Sequence, residues 1–448
     1  MALPNVAAGD PPSPSPPATI LALSIGNAVE LYDFTLYSFF ALTIGKLFFP
    51  VQSAFGPLLL ALLTFGIGFV VRPLGGIVLG GYADRVGRKP ALVLTIVLMA
   101  LGTLMIGLCP TYAQIGVAAP AIIVVGRLLQ GFSAGGEIGV ATTVLMELGH
   151  PGGRGLRVGW QMASQGAAAL MGALGGYLLS TLLPADALGN WGWRLPFLAG
   201  LLILPIGLYL RRLLPETAHP GAGSRTALAE LLSAHRAKLL LGVMMIMGGT
   251  ASTYVNIFYM PTYLIKVVGL PSDTAFLTGC AAGATMLVVA PLAGLLSDRL
   301  GRRRPFVIWT ALASALLTYP AFWVLSHVAS VSAALAVVSL LIAMNAVGAG
   351  ACLLLLLESF PSRVRASGLS IVYSVGVSIF GGFAQFIVTW LISVTENPTS
   401  PAWYVMACAL ATACGASRMR EVPRSRQSSV SDKPELPAGR LYDRAPTR

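Results

Sequence analysis

Twelve apolar runs, most of them near twenty residues or longer, recur along this 448-residue chain, and no other feature constrains its fold as much. They fall at about 18–49, 55–80, 91–109, 120–148, 157–183 and 193–212, then at 238–267, 273–297, 306–326, 330–357, 367–394 and 401–417. The hydrocarbon core of a bilayer, about 30 Å thick, is crossed by roughly 20 apolar residues in a helix. Lipid offers no partner to a backbone N–H or C=O, so such segments must satisfy their own hydrogen bonds as helices. Only 10% of the residues are charged, where a soluble domain carries about 25%. The fold class expected is therefore an all-α integral membrane protein with twelve transmembrane helices. The twelfth run is the shortest, and the completeness of that helix and of the tail behind it is the open point of the assignment.

Lys and Arg set the orientation. With the N-terminus inside, 24 of the 29 basic residues fall on the inner side and only Lys46, Arg194 and Lys266 on the outer. Both termini are then cytoplasmic in a multi-pass protein of the cytoplasmic (inner) membrane. Most of the +12 net charge is thus a topology signal and not a nucleic-acid-binding surface. Residues 1–17 hold "PPSPSPP" without Lys or Arg, which is no secretory signal and reads as disordered. Five scattered cysteines and four histidines in loops or near helix ends give no disulfide framework, metal cluster or catalytic set.

The two halves repeat. "GGYADRVGRKP" (Gly80 to Pro90) lies between runs two and three, and "GLLSDRLGRRRP" (Gly294 to Pro305) between runs eight and nine. "MELGHPGGRGLR" closes run four and "LESFPSRVRASG" closes run ten, placing Glu147 and Glu358 at 63 and 60 residues from Asp84 and Asp298. Matched markers at one period indicate duplication. The organisation expected is an N-terminal bundle at 18–212, a cytoplasmic loop at 213–237, a C-terminal bundle at 238–417 and a basic tail at 418–448. Two pseudo-symmetric six-helix bundles with a site between them form a transporter plan.

The motif G-x-x-x-D-R-x-G-R-[RK], with its echo after run eight, resembles the loop signature of the major facilitator superfamily. "GNAVELYDFTLYSFFA", "VRPLGG", "GRLLQGFSAGGEIGVATTVLMEL", "NWGWRLPFLAG" and "LRRLLPET" resemble the metabolite:proton symporter family within it. The resemblance runs to about Met406. It implies the major facilitator fold and the inward movement of small carboxylates or zwitterions with protons, with no chemical conversion.

Glu30 and Asp33, three residues apart inside run one, share a helix face. Two close carboxylates in a low dielectric cannot both stay ionised cheaply, so one holds a proton when the site is dry and releases it when wetted. Asp33 is the expected proton carrier and Glu30 its partner or a helix tether, though pairing with Arg or hydroxyls is an alternative for both. Arg127, in run four, carries a permanent charge on a planar fork suited to carboxylates. It either neutralises Asp33 and exchanges it for a substrate carboxylate, or forms a fixed ion pair. Asn27, Tyr37 and Gln130 fall near these faces. Gln161, Gln165, Asn256, Tyr259, Asn345 and Tyr373 are further candidate substrate contacts, by analogy with the superfamily, and helix seven is expected to break near Pro261.

Asp84, Arg85, Arg88 and Glu147 are expected to form a gating latch or a simple folding anchor, repeated by Asp298, Arg302 and Glu358. Arg72 and Glu137 are expected to pair deeper in the first bundle. The leading function is proton-coupled uptake of a small organic acid, such as citrate or another di- or tricarboxylate, by alternating access. A proline- or betaine-like zwitterion, a proton-driven exporter and a transporter-like nutrient sensor are the alternatives; an enzyme is not expected. The partners are the substrate, protons and the bilayer, with no cofactor beyond the proton, no nucleic acid, and a monomeric chain.

Overall fold

A computed structural model describes residues 16–86, 88–136, 153–202, 204–205, 230–300, 302–361, 364–419 and 421. The described residues are almost entirely helical. In the first half they form α1 (Pro16–Phe39) with its continuation α2 (Ala41–Phe48), and α3 (Gly56–Val70) with α4 (Arg72–Val86). These are followed by α5 (Arg88–Leu108), α6 (Ala118–Ser133), α7 (Arg154–Leu182) and α8 (Arg194–Gly200). The second half holds α9 (Arg236–Thr253), α10 (Ser272–Leu300), α11 (Arg304–Val328), α12 (Val331–Ser359), α13 (Arg365–Val377), α14 (Ala384–Thr395) and α15 (Ser400–Arg418). Among the described residues, six helices are long and apolar enough to cross a membrane, and the twelve-helix fold follows from the family described below.

The last helix packs against its own bundle along its length. Its 19 residues rise roughly 28 Å at 1.5 Å each. Thr412 Oγ1 accepts from the Gly248 N–H at 2.8 Å, which locks α15 onto α9. Arg304 donates to the Ser417 carbonyl and Glu421 Oε1 accepts from the Arg303 N–H at 2.7 Å, so the end of α15 is tied to the start of α11.

Helix seven does not break at Pro261. It widens into π-turns over Tyr254–Tyr259 and Leu264–Val268, with an α-helical turn, Met260–Tyr263, between them. Proline lacks an N–H and crowds the preceding turn, and the wider turns absorb that defect without ending the helix. Gly269, at φ 81°, then closes the helix in the left-handed conformation.

The halves meet mainly along α7 and α10, which touch along their lengths. A Cβ on Gly155 would lie 2.3 Å from the Gly294 carbonyl, and one on Gly166 would lie 2.5 Å from the Leu287 nitrogen. Glycine at these positions allows the two backbones to meet, as in close-packed membrane helices.

Candidate functional site

The helix ends carrying Arg154, Arg236 and Arg304 define a basic side of the molecule. Toward the opposite side the bundles are joined. Ser38 Oγ sits 2.6 Å from Gln385 Oε1 and 3.1 Å from the Phe258 carbonyl, and Ser378 Oγ donates to the Phe69 carbonyl at 2.9 Å. Phe383 packs so tightly on Gly66 that a Cβ there would approach its ring to 2.7 Å.

Between the bundles, toward the basic side, lies a cavity of about 100 Å³. Its polar lining includes Arg72, Gln165, Thr253, Tyr254, Asn345 and Tyr373, and its apolar wall includes Met162, Met245, Met286 and Phe258. Among the described residues, Arg72 is the only formal charge on this lining. Its guanidinium stacks over Phe69 at 3.9 Å and Phe34 at 4.5 Å, and its Nε and Nη2 find no hydrogen-bond partner among the described residues. Asn345 Nδ2 donates to Thr253 Oγ1 at 2.8 Å. Glu30 is buried within electrostatic range of Tyr254 and Tyr373.

A second polar group lies inside the first bundle. Asp33 and Arg127 are both fully buried, at 0% exposure. They do not form a direct ion pair. Arg127 Nη1 donates to Gln130 Oε1 at 2.8 Å, Gln130 Nε2 donates to Thr103 Oγ1 at 2.9 Å, and the Thr103 hydroxyl donates to Asp33 Oδ2. The Arg127 guanidinium also lies over Tyr37 at 4.4 Å and over Phe34 and Phe65 at 4.8 Å each. Desolvated cation–π contacts are each worth up to about 2 kcal/mol, which helps hold a charge that arginine cannot shed.

The structure thus divides the candidates. Gln165, Asn345 and Tyr373 line the cavity, and Arg72, expected as a gating residue, lines it too. Arg127, Asn27, Tyr37, Gln130, Gln161, Asn256 and Tyr259 do not. Most of them are engaged by neighbours: Asn27 donates to Ser164 at 2.6 Å, Tyr37 to the Ala61 carbonyl at 3.2 Å and Asn256 to Ser252 at 3.0 Å, while Tyr259 accepts from Thr389 at 3.0 Å. Glu30 and Asp33 share one helix but serve different neighbourhoods, the bundle interface and the interior against α5 and α8.

The second latch is rearranged from the expected one. Glu358 pairs with Arg303, while Arg302 is exposed. Arg303 immediately precedes α11, so its side chain turns toward the end of α12, where Glu358 sits. Asp298 caps the start of α7 across the bundle interface, accepting from the Gly155 N–H at 2.8 Å and the Leu156 N–H at 3.0 Å. Glu137 and Glu147 lie outside the described residues, as do the side chains of Asp84, Arg85 and Arg88.

Thr103 and Thr253 are site residues that the sequence does not mark, and Tyr254 is a site residue among the aromatic groups that helix seven carries. Only Tyr254, an aromatic one turn from Phe258 on helix seven, carried a sequence signal; a lone threonine in an apolar run carries none.

Two helical bundles, a polar cavity at their interface and buried opposite charges beside it are the layout of a secondary transporter. The family profile described as sugar (and other) transporter matches residues 19–219 and 221–423. The citrate-proton symporter of Klebsiella pneumoniae is 38% identical over 401 residues, 88% of this chain and 89% of that protein. The proline/betaine transporter of Escherichia coli (strain K12) is 34% identical over 407 residues, 87% of this chain and 81% of that protein. The crystal structure of a D-xylose-proton symporter superposes with a TM-score of 0.75 at 20% identity, covering 90% of this chain and 97% of that one. The chain belongs to the sugar (and other) transporter family of the major facilitator superfamily. It is a multi-pass membrane protein of twelve helices and not an enzyme.

Proposed function

We propose that this protein is a proton-coupled symporter of a small organic acid, with citrate or a related carboxylate as substrate. The observation that carries the reading is the coexistence of two polar groups at the centre of the fold. One is a cavity with a single arginine, Arg72, whose donors are not all used. The other is a buried carboxylate, Asp33, linked through two neutral side chains to a buried arginine, Arg127. Arg72 holds the substrate carboxylate, with Asn345, Gln165 and Tyr373 orienting the remainder. Asp33 exchanges the proton, and Arg127 is the fixed charge against which it does so. No cofactor beyond the proton enters this scheme. The similarity to citrate-proton symporters supports the choice of substrate class.

The basic side is cytoplasmic on the charge rule, with both termini there and the inner membrane as location. The transporting unit is a single chain. Asp298 acts as a cytoplasmic latch between the bundles that breaks and reforms as they rock, and the Arg303–Glu358 pair ties α11 to α12 at the same side within the second bundle.

A second reading, symport of a betaine- or proline-like zwitterion, is favoured by the aromatic lining. Tyr254, Tyr373 and Phe258 border the cavity, and Glu30 lies in range of the two tyrosines, which suits a cationic ammonium. Uptake into proteoliposomes under an imposed inward proton gradient separates the readings. Citrate accumulation collapsed by a protonophore is expected. Accumulation of betaine with no competition by citrate favours the second reading, and no gradient-driven uptake of either contradicts both.

A further inference from the structure

Asp33 sits in a dry, tightly packed place, and a group that must titrate there needs both of its protonation states to be tolerable. A Cβ on Gly200 of α8 would come within 2.8 Å of Asp33 Oδ1, and that oxygen has no hydrogen-bond partner among the described residues. The carboxylate therefore depends on what meets Oδ2, and that is the hydroxyl of Thr103 on α5.

Thr103 Oγ1 has three neighbours. It lies beside Asp33 Oδ2, 3.0 Å from the Met99 carbonyl one turn back, and 2.9 Å from Gln130 Nε2. A threonine hydroxyl has one proton to donate and two lone pairs to accept with. Gln130 occupies one lone pair, because Gln130 Oε1 is held by Arg127 Nη1, which fixes the amide with its N–H₂ toward Thr103. The single hydroxyl proton then has two alternative acceptors, Asp33 Oδ2 and the Met99 carbonyl.

We infer that Thr103 is a positioning residue for proton coupling, a two-position hydroxyl that stabilises Asp33 in both of its protonation states. When Asp33 is ionised, Thr103 donates to Oδ2. When a proton arrives on Oδ2, the new carboxyl O–H donates to the second lone pair of Thr103, and the Thr103 proton turns to the Met99 carbonyl. The helix offers that back-bond to any threonine one turn on. In both states the hydroxyl and carboxyl protons have an acceptor and Asp33 Oδ2 is engaged, so neither state strands a buried donor, while Oδ1 has no partner among the described residues in either state.

The charged and titratable groups around Asp33 and Arg127 are Arg72 from α4, Tyr32 and Tyr37 from α1, and Tyr254 from the opposite bundle, while Glu30, also on α1, faces the bundle interface. Thr103 is the neutral contributor from α5, and Gly200 is the contact from α8. The inference rests on the reading of Asp33 as the proton site.

The test is a pH titration of the full chain in lipid, with citrate absent, following the infrared carboxyl band that Asp33→Asn removes. Thr103→Val keeps the shape and deletes the hydroxyl. Thr103→Val loses the bond in both states, but the bond to the ionised carboxylate is the stronger, so the midpoint moves toward higher pH by about one unit, roughly ten-fold in proton affinity. Thr103→Ser restores the wild-type midpoint, which a packing role alone would not do. Thr103→Ala serves as the second hydroxyl-free variant, with citrate counterflow reporting that each variant is folded. A wild-type midpoint in folded Thr103→Val or Thr103→Ala, with the Asp33 band present, overturns the role of Thr103 and leaves Asp33 in place. A titrating band that survives Asp33→Asn overturns the reading of Asp33 and this inference with it.

Discussion

The two bundles descend from one repeat, yet they have diverged in what they bury. In the first, α1, α4 and α6 carry Glu30, Asp33, Arg72 and Arg127, all nearly or fully buried. In the second, the equivalent depth holds Thr253, Tyr254, Asn256, Tyr259, Asn345 and Gln385, buried and neutral. Helix one and its repeat-mate, helix seven, show the contrast most clearly. The first spends desolvation energy on carboxylates, and the second spends helical regularity on π-turns that set aromatic side chains around the cavity. Charge inside a membrane is costly and marks ion pathways and proton relays. On the proposed reading, energy coupling belongs to the first bundle and substrate shape to the second, with Arg72 as the point where they meet.

Substitutions can break this division, and the largest effect belongs to Asp33. Asp33→Asn is expected to lower gradient-driven citrate accumulation to the level of protein-free liposomes while leaving citrate counterflow measurable. Arg72→Ala comes next. Losing a charge-assisted hydrogen bond to a carboxylate should weaken apparent affinity about ten- to a hundred-fold, read as a rise in KM with the proton dependence retained. Asn345→Ala, in the neutral bundle, should raise KM by about fivefold, in keeping with one neutral hydrogen bond of roughly 1 kcal/mol, and should leave the ratio of protons to substrate unchanged. The smallest effects fall on the latches. Arg303→Ala should slow exchange with KM preserved, and Arg302→Ala should change neither the rate nor KM, because Arg302 is exposed and Glu358 is already paired. A coupling defect in Asn345→Ala, or a pure affinity defect in Asp33→Asn, would erase the proposed contrast.

Much of this architecture was legible in the chain. Run lengths, basic-residue asymmetry and the paired D-R-x-G-R loops lead directly to twelve helices in two related bundles, because lipid permits so few alternatives. The buried charges were legible too, since a carboxylate or guanidinium inside an apolar run stands out. Their partners were not. Helical spacing places Glu30 and Asp33 on one face, but it is blind to the small tilt that sends one toward Tyr254 and the other toward Thr103. Arg127 and Arg72 both sit at mid-helix in sequence, and only packing reveals that rings enclose the first while the cavity reaches the second. In "GRRRP" the adjacent Arg302 and Arg303 are equivalent as text, and the start of α11 decides between them. The widening of helix seven at Pro261 likewise depends on tertiary support.

The most direct test of the account is proton movement during a citrate pulse. De-energised proteoliposomes in weak buffer receive citrate, and external pH is followed with time. The account predicts a transient alkalinisation in step with citrate entry for the wild-type chain, and none for Asp33→Asn even though that variant still exchanges citrate. Equal alkalinisation by both would show that the proton travels on some other group.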